Sequence, residues 1–269
     1  MKKILFTDLD GTLLNNQSLI HPEMKAALEK MIAAGHVLVL SSGRPLHSII
    51  GIKEKADINY PGIYIVANNG GLVYDCEKKE NILERRVSYE DMMTAWHLAK
   101  DMGIHIQTYT ESHIISAKTT NALDYYTRKV SLPVLFSDNP MDVLEVPPYK
   151  LLAISLDNKK ILEDFSAKLC EKTSGLTTLF SNPMFLEIIP ADSGKGKGLH
   201  WLCDYLKIPV ADSIASGDAE NDLSMLQAAG IGVAMLNAEE SLKEHADVIT
   251  AKSNDENGLI EIIEKYILK

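Results

Sequence analysis

The chain has 269 residues, 46% of them hydrophobic, enough to bury a sizeable core as one large domain or two smaller ones. Against 37 acidic residues stand 27 lysines and arginines, a formal charge of −10 that argues against tracking nucleic-acid phosphates or anionic lipid and leaves room only for a local positive pocket. Nothing approaches the ~18 apolar residues of a membrane span, Met1-Lys2-Lys3 leads into a run too short for a secretion signal, and Cys76, Cys170 and Cys203 match no metal or redox spacing, so a cytoplasmic protein with reduced thiols is expected.

The first element is the apolar run Ile4-Leu5-Phe6, which reads as a buried strand and ends in Asp8-Leu9-Asp10-Gly11. Asp-Gly by itself is a common turn. A calcium-binding loop counted from Asp8 fails, because Leu13 and Leu19 stand where Gly and Glu are required. Pro22 opens a helix with apolar residues at Met24, Ala27, Leu28, Met31 and Ile32, closed by Gly35. Residues 36–43 and 63–71 then read as two further strands, the second ending in the turn Asn68-Asn69-Gly70-Gly71. Strand and helix in alternation predict a parallel sheet with helices on its faces.

The rhythm changes near residue 72. A hairpin is followed by a helix capped by Ser88 and stopping at Gly103, then by near-alternating strands with helices around 119–129 and 158–172. This predicts an α+β insert with an antiparallel sheet. From Lys195 the first rhythm returns, with a helix to about Lys207, a strand into Gly217-Asp218, a helix, a strand, and a closing helix. The expected organisation is a Rossmann-like α/β core, residues 1–82 and 185–269, interrupted by an α+β cap, residues 83–184.

Ligands of open parallel sheets sit beyond the carboxyl ends of the strands. Three strands end there in polar clusters: Asp8 with Asp10, Ser42-Gly43-Arg44, and Asp218 with Asn221 and Asp222; Lys195 opens the returning segment. Crowded carboxylates repel unless a cation bridges them, and oxygen ligands favour Mg²⁺. A lysine, a hydroxyl and loop N–H groups suit phosphate oxygens. One aspartate could attack phosphorus while another exchanges a proton with the ester oxygen.

These runs, "DLDGTL", "SSGR", "GKGKGL" and "SGDAENDLSML", resemble the haloacid dehalogenase-like phosphatases, specifically the Cof-type subgroup with a C2 cap, over nearly the whole chain. The resemblance implies a Mg²⁺-dependent phosphomonoesterase with an aspartyl-phosphate intermediate, Asp8 as nucleophile and Asp10 as acid and base. It implies Leu9, Ser42, Gly43, Lys195 and Asn221 at the phosphate, and Asp8, Asp10 (through its main-chain carbonyl) and Asp218 on the metal. The third run carries a second lysine, Lys197, but the family pattern falls on residues 195–199 and selects Lys195. Asp222 either binds metal or hydrogen-bonds a residue that does, the latter being expected. Arg44 either contacts substrate or pairs with an acidic neighbour. The turn at 68–71 reads as structural, with an asparagine facing the site as the alternative.

The partner implied is a small phosphorylated metabolite, a sugar phosphate or phosphorylated cofactor, with no nucleic acid and no membrane, the protein being a monomer or weak homodimer. Two rivals share the aspartate cluster: a phosphomutase with the same nucleophile, and a non-enzymatic receiver-type phospho-acceptor, for which a cap of ~100 residues has no purpose.

Overall fold

The computed structural model describes residues 2–128, 130 and 132–269; Lys129, at the end of one expected helix, lies outside the described residues. The chain divides into two compact units, Met1–Glu84 with Ser193–Lys269, and Arg85–Asp192.

The larger unit begins with β1 (Ile4–Thr7), α1 (Pro22–Ala33), β2 (Val37–Ser41), α2 (Leu46–Lys55), β3 (Ile63–Ala67), β4 (Leu72–Asp75) and β5 (Glu80–Glu84). Helix α1 buries Met24, Ala27, Leu28 and Met31, the periodic face read from its sequence, and Gly35 follows it at φ +88°, the left-handed conformation expected of a helix-ending glycine. Helix α2 adds to the elements expected from the sequence: Leu46, Ile49 and Ile50 recur at helical spacing after Pro45, and Ile49 is fully buried.

In the smaller unit lie α3 (Tyr89–Asp101), β6 (His105–Tyr109), β7 (Ile114–Ser116), α4 (Asn121–Thr127), β8 (Val134–Phe136), β9 (Leu151–Ile154), α5 (Lys159–Lys172), β10 (Leu176–Asn182) and β11 (Phe185–Pro190). Ser88 caps α3 as expected, its hydroxyl accepting from the Asp91 N–H at 3.1 Å. The sheet order is β10-β11-β9-β6-β7-β8, antiparallel except for the β7–β8 pair. Helices α3 and α5 cover one face, where Trp96, Leu162, Phe165 and Leu169 pack on Ile106, Leu151, Ala153, Leu186 and Ile188. The expected boundary at 184/185 requires correction. Strand β11 pairs with both β9 and β10, so it belongs to the insert, and the chain leaves that unit only after Asp192.

The larger unit is completed by α6 (Lys195–Leu206), β12 (Ser213–Gly217), α7 (Leu223–Ala228), β13 (Ile231–Ala234), α8 (Glu240–Lys243), β14 (Val248–Ile249) and α9 (Leu259–Ile262). Its sheet order is β14-β13-β12-β1-β2-β3-β4-β5, parallel from β14 to β3 with an antiparallel hairpin, β4–β5, added at the edge. Strands β1 and β2 are buried on both faces, which is why they read as continuous apolar runs. Leu199, Leu202 and Cys203 of α6 pack against Ile4, Phe6, Val37, Val39 and Val66. Among the described residues no helix is long and apolar enough to cross a membrane.

Candidate active site

From β1 the chain moves outward to β2 and β3 on one side, and later from β12 to β13 and β14 on the other. The two directions part between β1 and β12, and a ligand crevice forms where strand order reverses in this way. Asp8 follows β1 directly and Asp218 follows β12 directly. The pairing extends one step beyond the strand, the Asp8 N–H donating to Ser216 O at 2.9 Å, so the Asp8 backbone is fixed by the sheet itself.

Lys195, first residue of α6, is buried to 1% exposure and carries its ammonium between two carboxylates: Nζ donates to Asp8 Oδ1 at 2.6 Å and to Asp222 Oδ1 at 2.5 Å. Burial alone would strip its proton, but Asp222 and Asp8 outweigh that and hold its pKa above that of an ordinary lysine. Lys197 is exposed on the same helix. Asp222 is fully buried, and its other oxygen accepts the N–H groups of Asp218 at 3.0 Å and Ala219 at 3.2 Å. Both Asp222 oxygens are thus engaged in holding Lys195 and shaping the loop that carries Asp218.

Asp8, Asp218 and Asp222 offer carboxylate oxygens within 4.8 Å of one another. Burial pushes the Asp8 carboxyl up, Lys195 opposes this, and the charges of Asp222 and Asp218 add to the rise. Burial and the Asp222 charge push Asp218 up to about 7, with the Thr12 hydroxyl, which donates to its Oδ1 at 3.2 Å, acting the other way. With all groups ionised, three carboxylates and one ammonium sum to −3 + 1 = −2. A divalent cation cancels that excess, and carboxylate oxygens are the hard ligands Mg²⁺ takes. Space for Asp218 is provided by Gly11, at φ +78°, because a Cβ there would overlap Asp218 Oδ2. The residues present therefore fit Mg²⁺.

Asp10 is placed differently. Its side chain is half exposed, and Arg44 grips it with a bidentate pair, Nε to Oδ2 at 2.6 Å and Nη2 to Oδ1 at 2.8 Å. Arg44 thus pairs with an acidic neighbour. The Asp10 carboxylate is outside the cluster formed by Asp8, Asp218 and Asp222.

Beyond β2, Ser42 is buried, its N–H donating to Val66 O at 2.8 Å and its hydroxyl accepting from the Arg44 N–H at 3.2 Å. Leu9 is also fully buried, its carbonyl closing the turn by accepting from the Leu14 N–H at 2.8 Å. Asn221 donates Nδ2 to Asn69 Oδ1 at 3.4 Å, and a Cβ on Gly43 would lie 3.0 Å from that same Oδ1. Two further side chains meet these groups, Thr12, which the sequence did not single out, and Asn69, for which an asparagine facing the site was the alternative to a structural turn. Thr12 stands in the recognised first run but its partner is 206 residues away. Asn69 lies in the turn read as structural, and its contact with Asn221 agrees with the alternative of an asparagine facing the site, although nothing in the spacing named that partner.

A family model described as haloacid dehalogenase-like hydrolase matches residues 5–263. The 5-amino-6-(5-phospho-D-ribitylamino)uracil phosphatase of Bacillus subtilis is 30% identical over 296 residues, which cover 98% of this chain and 98% of the relative. A second Bacillus subtilis protein, named as a phosphatase, is 27% identical over 300 residues, covering 99% of this chain and all of the relative. Among solved structures, a haloacid dehalogenase-like hydrolase from Bacteroides thetaiotaomicron matches with a TM-score of 0.84 and 30% identity, covering 98% of this chain and 99% of its own.

Proposed function

The chain belongs to the haloacid dehalogenase-like hydrolases and is an enzyme of phosphatase chemistry, and from that premise we propose that it is a Mg²⁺-dependent phosphomonoesterase working through an aspartyl-phosphate on Asp8. Its substrates are small phosphorylated metabolites, sugar phosphates or phosphorylated cofactors, a class that includes the substrate named for the Bacillus subtilis relative. The observation that carries the reading is the ammonium of Lys195 held between buried Asp8 and Asp222 at the sheet's switch point.

In the first half-reaction the Asp8 carboxylate forms a bond to phosphorus as the ester P–O bond breaks. Asp10 gives its proton to the departing oxygen. In the second half a water attacks the aspartyl-phosphate, Asp10 takes the water's proton, and inorganic phosphate and the free Asp8 carboxylate result. Lys195 keeps Asp8 oriented and supplies positive charge where the transferring phosphoryl group gathers negative charge. Mg²⁺, held by the Asp8 and Asp218 side chains and the Asp10 main-chain carbonyl, would offset the remaining charge on that group. Leu9, Ser42, Gly43 and Asn221 bind the phosphoryl oxygens, and Asp222 fixes both Lys195 and the Asp218 loop. The Arg44 pair with Asp10 must open as substrate arrives, because both carboxylate oxygens are occupied in it. Uncatalysed monoester hydrolysis is so slow that enzymes accelerate it by up to ~10²¹, which calls for a dense charged site of this kind.

The test is phosphate release from a panel of phosphate esters. Wild-type protein should turn over with Mg²⁺ and fall silent in EDTA, and Asp8→Asn should lose at least ~10³-fold in rate while remaining folded by circular dichroism. A folded Asp8→Asn protein that keeps most of its activity, or full activity in chelator, would overturn the mechanism.

A further inference from the structure

The turn Asn68–Gly70 lies among three of the segments that build the site. The Asn68 N–H donates to Arg44 O at 3.0 Å and the Asn69 N–H to Ser42 O at 3.1 Å, so the turn holds the Ser42–Arg44 loop at both ends. Gly70, at φ +87°, lies so close to Gly194 that a Cβ on it would overlap the Gly194 carbonyl, and Gly194 is the residue from which Lys195 starts its helix. The third segment is reached by a side chain, the Asn69 amide accepting from Asn221.

Asn69 is fully buried, and its backbone is left-handed at φ 53°, ψ 42°. Glycine and asparagine are the residues that adopt this conformation most readily. Glycine would satisfy the turn, so the turn alone does not account for an asparagine. What the amide adds is contact. Oδ1 receives Asn221 Nδ2, and the amide plane lies against Gly43, where a Cβ would come 3.0 Å from Oδ1 and 3.1 Å from Nδ2. Its Nδ2 has no hydrogen-bond partner among the described residues. A buried amide that leaves a donor unused is uncommon, and such groups call for an explanation beyond packing.

The geometry points to Asn69 as a positioning residue that sets the separation between Gly43 and Asn221, the two groups that bind phosphoryl oxygens from opposite sheet segments. This rests on the phosphatase reading above and deepens it. With the amide in place, Asn221 cannot move toward Gly43 and Gly43 cannot sink toward the turn. With the amide gone, both lose the wall between them, and phosphate is held less well although no group that touches it has been removed.

Asn69→Gly isolates the effect, because glycine accepts the left-handed backbone and removes only the amide. The measurement is competitive inhibition of ester hydrolysis by inorganic phosphate, for wild type, Asn69→Gly, Asn221→Ala and the double variant. An inhibition constant is independent of the fraction of protein that is active, so a partial loss of fold leaves this readout intact. Asn69→Gly should weaken phosphate inhibition about tenfold, and the double variant should lose less than the product of the two single losses, the signature of residues coupled through one contact, with the remainder owed to Gly43. Unchanged inhibition in Asn69→Gly, or losses that multiply in the double variant, would overturn this inference while leaving the phosphatase reading in place. A wild-type protein that releases phosphate from no ester and is unaffected by phosphate would overturn the functional reading and this one with it.

Discussion

Lys195 is the residue on which the charge balance of the site turns. Its side chain is wholly buried and its ammonium answers two carboxylates that are themselves almost fully buried. Replacing both partners of such a pair by apolar groups can be harmless, but removing one leaves uncompensated charge and costs about 3–5 kcal/mol. Lys195→Met keeps the volume and removes the charge. It should abolish turnover and lower stability by that amount in urea titrations, whereas Lys197→Met, at an exposed position two residues on, should change stability by less than about 0.5 kcal/mol. Similar losses from both would mean that the buried pair is not what the lysine is for. Residues of this kind were legible in the sequence because they stand in short runs at strand ends: Asp8, Ser42, Lys195, Asp218 and Asn221. Thr12 was not, and Asn69 only as the alternative to a structural turn, since each meets a partner beyond β12 that only the sheet order brings near, 206 residues away for Thr12 and 152 for Asn69.

Among the elements, β6 of the smaller unit carries a titratable group with a definite consequence. His105 is part of a hydrogen-bonded chain, its Nε2 against Gln107 Oε1 at 3.0 Å and its Nδ1 against Thr120 Oγ1 at 2.9 Å. Burial lowers its pKa from the ordinary 6.5, with the Gln107 contact opposing. The unfolded chain therefore takes up this proton at a higher pH than the folded chain does, and stability is lost as pH falls through about 6.5 toward the lower folded value. Trp96, in α3 of the same unit, reports its unfolding once Trp201 is replaced by Phe. Between pH 7.5 and 5.5 the Trp96 transition should fall further in wild type than in His105→Gln, which keeps a polar side chain but cannot titrate. Parallel slopes would exclude His105 as the source. Element type was largely legible from periodicity, and the misplaced boundary has a physical cause. Strand β11 is buried at every position, so "FLEIIP" reads like a strand of a parallel core, although it pairs antiparallel on both sides. Strand β8, three residues at a sheet edge with Leu135 and Phe136 exposed, gave no alternation to read.

At the scale of the whole molecule, every residue assigned to the chemistry lies in the larger unit, and the smaller unit supplies none of them. Yet the smaller unit is not merely packed. On β6 and β9, Ile106, Leu151 and Ala153 face the helices, while Gln107 and Tyr109 at the alternate positions of β6, with Lys150 just before β9, lie on the opposite face. There Gln107 donates to Tyr109, Tyr109 donates to Tyr126, and Lys150 pairs with Glu187 at 2.9 Å with both side chains mostly buried. A buried ion pair and a chain of phenols contribute little to stability relative to apolar packing. Groups of this type hydrogen-bond hydroxyls and pair with charges, and the expected role of the smaller unit is to help distinguish one phosphate ester from another. Catalysis and selection should accordingly be separable by exchange. Replacing residues 85–192 with the corresponding unit of a relative that prefers a different ester should transfer the ranking of substrates in a panel assay. Dependence on Mg²⁺ and the loss caused by Asp8→Asn should remain as they were. Within the native chain, Glu187→Gln should alter relative kcat/KM values among esters by about tenfold or more and leave the response to Mg²⁺ unchanged. An active chimera whose ranking follows the larger unit, together with an unaltered ranking in Glu187→Gln, would place selectivity with the residues that carry the chemistry.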